Sequence, residues 1–212
     1  MGVQGVKTGR LALCAMLVAA MLLLAVPLTP GPAGAPEVTP SLAGQLLVAL
    51  PTLEDPRFTK TVIFMVAHNV RGASGLVVNR PLGDIPVAVL LKQAGLPDPT
   101  AKGTVKLHVG GPVEPTRISV LHTDDFRGPE TNVLGGGLAV TSQPDILQAI
   151  AAGKGPRRAH FNVGYAGWAP GQLEAEIRDG YWITVPADEA ILFDDAYETK
   201  WDRAMAKRRI NL

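Results

Sequence analysis

The chain has 212 residues, with 20 Lys and Arg against 19 Asp and Glu and a single cysteine. That length fits one domain of roughly 150 to 200 residues with an appendage, and argues against a second full domain. The charge balance disfavours general nucleic-acid affinity, which needs a concentrated basic face, and with Cys14 in an apolar N-terminal run the body has no thiol nucleophile, disulfide or thiolate metal site.

Lys7 and Arg10 precede an uncharged run over residues 11–28, rich in Leu, Ala, Val and Met. The run lies between the roughly 7 to 15 residues of a signal core and the about 20 of a membrane span. Ala33-Gly34-Ala35 has the form of a cleavage site, but Pro36 directly after it suits a protease cleft badly, which favours a retained anchor. Residues 1–28 are therefore expected to contact a membrane, as signal or transmembrane helix. Residues 29–40 read as a Pro-rich linker and residues 41–212 as the domain. The positive-inside rule keeps Lys7 and Arg10 cytoplasmic and places the domain, anchored or exported, on the extracytoplasmic side. The alternative is translation beginning further along, for instance at Met21, with a cytoplasmic domain.

Within the body, short apolar runs bounded by Pro, Gly or Asn predict strands at 45–49, 61–67 and 75–79. Asp84 is expected to open a helix through Ala94, stopped by Gly95 and Pro97. Strands follow at 105–109, 118–122 and 138–141. A helix starts near Ser142-Gln143-Pro144 and ends before Gly153, and strands return at 159–163 and 181–185. Between those last two, Gly164 to Gly171 read as a tight turn into a helix over 171–179. A final helix covers 197–207, with Trp201 and Met205 on one face. Strands come in clusters and outnumber helices, so the expected class is α+β: one domain with a mixed, barrel-like sheet and about four flanking helices.

The segment from Gly164 to Glu176 is the richest in information. A ligand site with Tyr165, Trp168 and Gln172 at its rim is one reading; a structural turn whose helix dipole is met by Glu174 and Glu176 is the other. His68-Asn69 closes a strand at a sheet edge, where His68 is placed either to act as a general base or to bond the loop backbone. His122, Ser74 and Asp55 nominally complete a triad, a combination that nearly any sequence offers. His68, His108, His122 and His160 are too far apart in sequence for a metal motif, and Gly110-Gly111-Pro112 and Gly135-Gly136-Gly137 lack phosphate-loop spacing. Neither metal nor cofactor is expected.

Together these residues resemble the AlgH/YqgE family of bacterial proteins. The matching elements are residues 45–49 with Pro51, Asp55 and Phe58; His68-Asn69; Gly72-Ala73 with Gly75-Leu76; Asn79-Arg80-Pro81; Gly110-Gly111-Pro112-Val113; and Leu121-His122. The segment from Gly164 to Glu176, Trp182, Phe193-Asp194 and Trp201 complete the set. The resemblance implies a mixed α+β fold with a barrel-like sheet and no established activity, cofactor or catalytic residue; such proteins are often labelled transcriptional regulators. Ala67 departs from the family's acidic residue before His-Asn, which weakens an acid/base role for His68. The C-terminal residues 208–212 and the N-terminal extension depart as well, and an exported domain would not meet the chromosome.

The leading expectation is a non-enzymatic binding or regulatory domain with an unidentified protein or small-molecule partner. Its candidate binding residues are His68, Asn69, Asn79, Arg80, Tyr165, Trp168, Gln172, Glu174 and Glu176. The alternative is a metal-independent hydrolytic or acid/base enzyme using His68 with Glu174 or Glu176.

Overall fold

The structure, a computed structural model, describes residues 40–208. In chain order the elements are β1 (Gln45–Ala49), β2 (Val62–Asn69), β3 (Gly72–Val77), β4 (Pro81–Pro86), α1 (Val87–Gln93), β5 (Thr104–Val109), β6 (Val113–Thr123), β7 (Asn132–Gly135), β8 (Leu138–Thr141), α2 (Asp145–Ala151), β9 (Ala159–Trp168), α3 (Gln172–Arg178), β10 (Trp182–Pro186), α4 (Glu189–Phe193) and α5 (Tyr197–Ala206). The strands form one curled sheet in the order β10-β1-β2-β3-β9-β6-β8-β7, with β5 against β9 and β4 against β5. The pairings are antiparallel except β5 with β9. The expected class therefore stands: α+β with a half-barrel sheet.

Strand β9 is the spine. Its C-terminal end pairs with β3, and its N-terminal half lies between β5 and β6. The curled sheet buries apolar side chains on both faces, which is why β1, β2 and β8 read as nearly continuous hydrophobic runs. Leu46, Phe64, Leu76, Leu121 and Val140 fill the concave side beneath α4 and α5. Leu47, Ile63, Met65 and Trp182 pack under α3, and Leu107, Val120 and Phe161 pack under α1 and α2.

The helix expected from Asp84 begins only at Val87, because residues 81–86 pair with β5 as β4. Pro86 explains the difference: a proline disfavours helical backbone at the residue before it, so no helix can run through Ile85 into Val87. Strand β9 runs on through Trp168, where the sequence suggested a turn. Gly164 makes this possible, since at φ +70° a Cβ there would lie 2.4 Å from the Gly111 carbonyl oxygen. Gly110 and Gly111 therefore make a close backbone crossing over β9.

The expected membrane or signal segment, residues 1–28, and nearly all of the linker lie outside the described residues. Among the described residues no helix is long and apolar enough to cross a membrane. The membrane-anchored or exported placement, with its transmembrane and signal assignment, is withdrawn on that finding.

Candidate functional site

A bulge decides what His68 faces. Met65 lies opposite Gly75 but Ala67 lies opposite Ser74, so Val66 is an extra residue and the alternation of β2 flips. Val66 and Ala67 both turn to the concave side, and His68, opposite Ala73, joins the face covered by α3. There its side chain is 3% exposed. The Leu42 N–H donates to Nδ1 (3.2 Å), which leaves the proton on Nε2 to be donated to Glu174 Oε1 at 3.1 Å. The structure thus brings His68 and Glu174 together, but both ring nitrogens are engaged.

Glu176 is a different kind of group. Its Oε2 accepts from the indole N–H of Trp168 and of Trp182, both at 2.8 Å, and its Oε1 accepts from Gln172 Nε2 at 2.9 Å. The two indoles meet edge to face at 6.0 Å, and Trp168 is 8% exposed. Gln172 also caps the preceding turn, its Oε1 accepting from the Ala169 N–H. Trp168, Gln172 and Glu176 therefore form a staple that fastens α3 to the end of β9.

Asn69, Tyr165 and one edge of Trp168 meet on the opposite, concave side. They line an open cleft of about 550 Å³ between the β2–β3 turn, β6 and β9. Its floor is Val66, Leu76 and Val140, with glycines 72, 75 and 167 flattening the wall. Arg71 and Arg117 stand in the lining. Arg117 lies 6.0 Å from the Tyr165 ring centre and pairs with Glu114, which also accepts from the Tyr165 hydroxyl. Arg71 makes no ion pair among the described residues. The hydroxyls of Ser119 and Ser142 bond each other at 2.9 Å, and no histidine lines the cleft, so none of its serines has a base. Asn79 and Arg80 stand elsewhere, at the far end of β3. Arg71, in the β2–β3 turn, and Arg117, on β6, were missed from sequence because single arginines carry no spacing signal.

The triad does not assemble. His122 is fully buried between the Thr123 carbonyl and the Thr141 hydroxyl, Asp55 pairs with Arg57, and Ser74 faces the cleft. A buried polar cluster that the sequence did not suggest lies where β5 and β9 meet α5. His108 stacks on His160 at 3.6 Å, and the His108 Nε2 is 3.0 Å from the Tyr197 hydroxyl. Tyr197 has one proton and two acceptors, Asp195 at 2.6 Å and His108 Nε2, because His108 Nδ1 donates to the Phe161 carbonyl. Burial pushes His108 down to about 4 and His160 well below its ordinary value, so both are neutral at pH 7. Lys200, fully buried beside them, is lowered to about 8 by desolvation, which outweighs Asp194 at 3.8 Å. Burial also raises the Tyr197 hydroxyl, with Asp195 adding to the effect.

Residues 46–212 match the family described as AlgH-like. The chain belongs to the AlgH-like family. A UPF0301 protein of Caulobacter vibrioides is 46% identical over 168 residues, spanning 78% of this chain and 86% of that protein. Another, from Afipia carboxidovorans, is 45% identical over 182 residues, spanning 82% and 87%. The solution structure of the AlgH protein from Pseudomonas aeruginosa superposes with a TM-score of 0.69 at 41% identity, covering 84% of this chain and 92% of that one. A crystal structure from Corynebacterium diphtheriae shares the fold, with a TM-score of 0.62 at 21% identity.

Proposed function

We propose that this AlgH-like protein is a non-enzymatic binding domain whose capture site is the cleft at Asn69 and Tyr165. One observation carries the reading: the cleft holds an arginine without an ion pair above an apolar floor, while His68 is buried on the other face of the sheet with both ring nitrogens engaged. An unpaired guanidinium beside apolar surface binds an acidic group well and has no proton-transfer partner with which to turn it over. The expected partner is an acidic small molecule or an acidic segment of another protein, and any regulatory effect follows from capturing it.

The test is a thermal-shift screen of the full chain against acidic metabolites and acidic peptides, repeated with Arg71→Gln and Tyr165→Ala. A hit lost in both variants, with the melting temperature of the free protein unchanged, supports the site. The His68–Glu174 contact at 3.1 Å is the one feature that favours the enzymatic reading. Turnover in a hydrolase panel that disappears in His68→Ala would replace the binding reading with that one.

A further inference from the structure

A second cleft, of about 820 Å³, opens at the other end of β3, between the β1–β2 loop, the β3–β4 connection and the first turn of α5. Three cations line it: Arg57, Lys60 and Arg80. Arg57 is spent on Asp55 at 2.6 Å. Arg80 donates from Nη2 to the Thr59 carbonyl (2.6 Å) and the Thr61 hydroxyl (3.3 Å), while its Nε is buried without a partner. Among the described residues neither Arg80 nor Lys60 has a carboxylate within ion-pair distance. A half-buried guanidinium without a counter-ion is costly unless an anion arrives from outside.

Lys60 is held in place for the same end. Its φ is +51°, a left-handed backbone that lysine adopts at a cost of about 1 kcal/mol. Asn79 enforces it, donating from Nδ2 to the Lys60 carbonyl at 2.8 Å and accepting the Val62 N–H at 3.0 Å. Glycine or asparagine would sit there without strain, yet the position carries an ammonium, 5.5 Å from the centre of the Trp201 ring. Trp201 is itself fixed by its N–H bond to the Ala49 carbonyl at 2.8 Å. Facing it are Pro81, Pro112 and Val109, the last 40% exposed. The first turn of α5 has no side-chain cap and also faces this space; Glu198, exposed at the rim, is the opposing charge.

We infer that this cleft binds a small organic oxyanion, a carboxylate or phosphate monoester carried on a flat apolar body. The oxyanion sits at Arg80 and Lys60, and the apolar body lies against Trp201 and the Pro81 wall. This site is separate from the capture cleft at Asn69 and Tyr165 and does not depend on it.

The experiment is a titration of the ¹⁵N-labelled full chain with phenyl phosphate, with benzoate and with inorganic phosphate. The Trp201 indole signal and the Lys60 and Arg80 amides report binding. An aromatic anion is expected to shift these signals saturably and to bind about tenfold more tightly than inorganic phosphate. Preference for phenyl phosphate marks a phosphate ligand and preference for benzoate a carboxylate; either supports the site. Lys60→Gln, at an exposed position that no packing depends on, should weaken binding about tenfold, and Arg80→Gln at least as much. Tyr165→Ala should leave it unchanged. If neither aromatic anion shifts these signals up to about 10 mM, or if Lys60→Gln binds as tightly as the parent chain, the inference is overturned.

Discussion

Glu176 shows how a residue with the look of a catalytic acid is taken up by structure. One carboxylate oxygen holds two buried indole N–H groups, so its removal strands two donors inside apolar surroundings. Glu176→Ala is expected to destabilise the domain by about 2–4 kcal/mol in urea unfolding. Glu176→Gln should cost less, because an amide oxygen still accepts both bonds. If Glu176→Ala unfolds at the parent midpoint, the staple is not structural and the carboxylate is free for another role. His68 follows the same logic, with an amide at one nitrogen and a carboxylate at the other.

The strands were the most legible elements. β1 and β8 fall where their apolar runs predict, because burial on both faces leaves a continuous hydrophobic signal. β7, four residues long with all but Leu134 exposed, left none, and neither did the five-residue α4. The site was legible in part. Asn69, Tyr165 and Trp168 converge, but the bulge at Val66 sends His68 to the opposite face, and a one-residue insertion in pairing leaves no mark on alternation until the partner strand is known. Two predictions belong to the packing of α5 on β5 and β9. Lys200→Met should raise stability at pH 7 by about 1–2 kcal/mol, since it removes a buried charge whose pairing is weaker than its desolvation. The gain should shrink as pH rises above 8, where the folded chain releases the Lys200 proton while the unfolded chain still holds it. The His108–His160 stack predicts the acid side. The unfolded chain takes up a proton near 6.5 that folded His108 refuses until about 4, so stability present above 6.5 is lost as pH falls through that window. For His108 alone the loss is roughly 3 kcal/mol, and His108→Gln should flatten the dependence of the denaturation midpoint on pH.

At the scale of the whole molecule, β9 ties the two halves of the sheet. Its C-terminal end pairs with β3 and its N-terminal half is flanked by β5 and β6, so neither half can open without exposing edges of the other. The domain is expected to unfold in a single transition, with amides in β3 and β6 sharing one opening free energy in native-state hydrogen exchange. A β6 that exchanges at much lower free energy than β3 would show the halves to be separate units. Gly164→Ala should lower that common value by more than about 3 kcal/mol, because the new methyl meets the Gly111 carbonyl in a backbone conformation that alanine avoids.

The late position of β9 and β10 also sets the order of events at the ribosome. β1 finds its outer partner only when β10 has been made, and β3 waits for β9, so both flanks of the first three strands stay open through most of synthesis. Those strands are among the most apolar in the chain, and unpaired edges of that kind are where one nascent copy can join another. Any truncation before Ala159 would make that passing exposure permanent, leaving a fragment that aggregates.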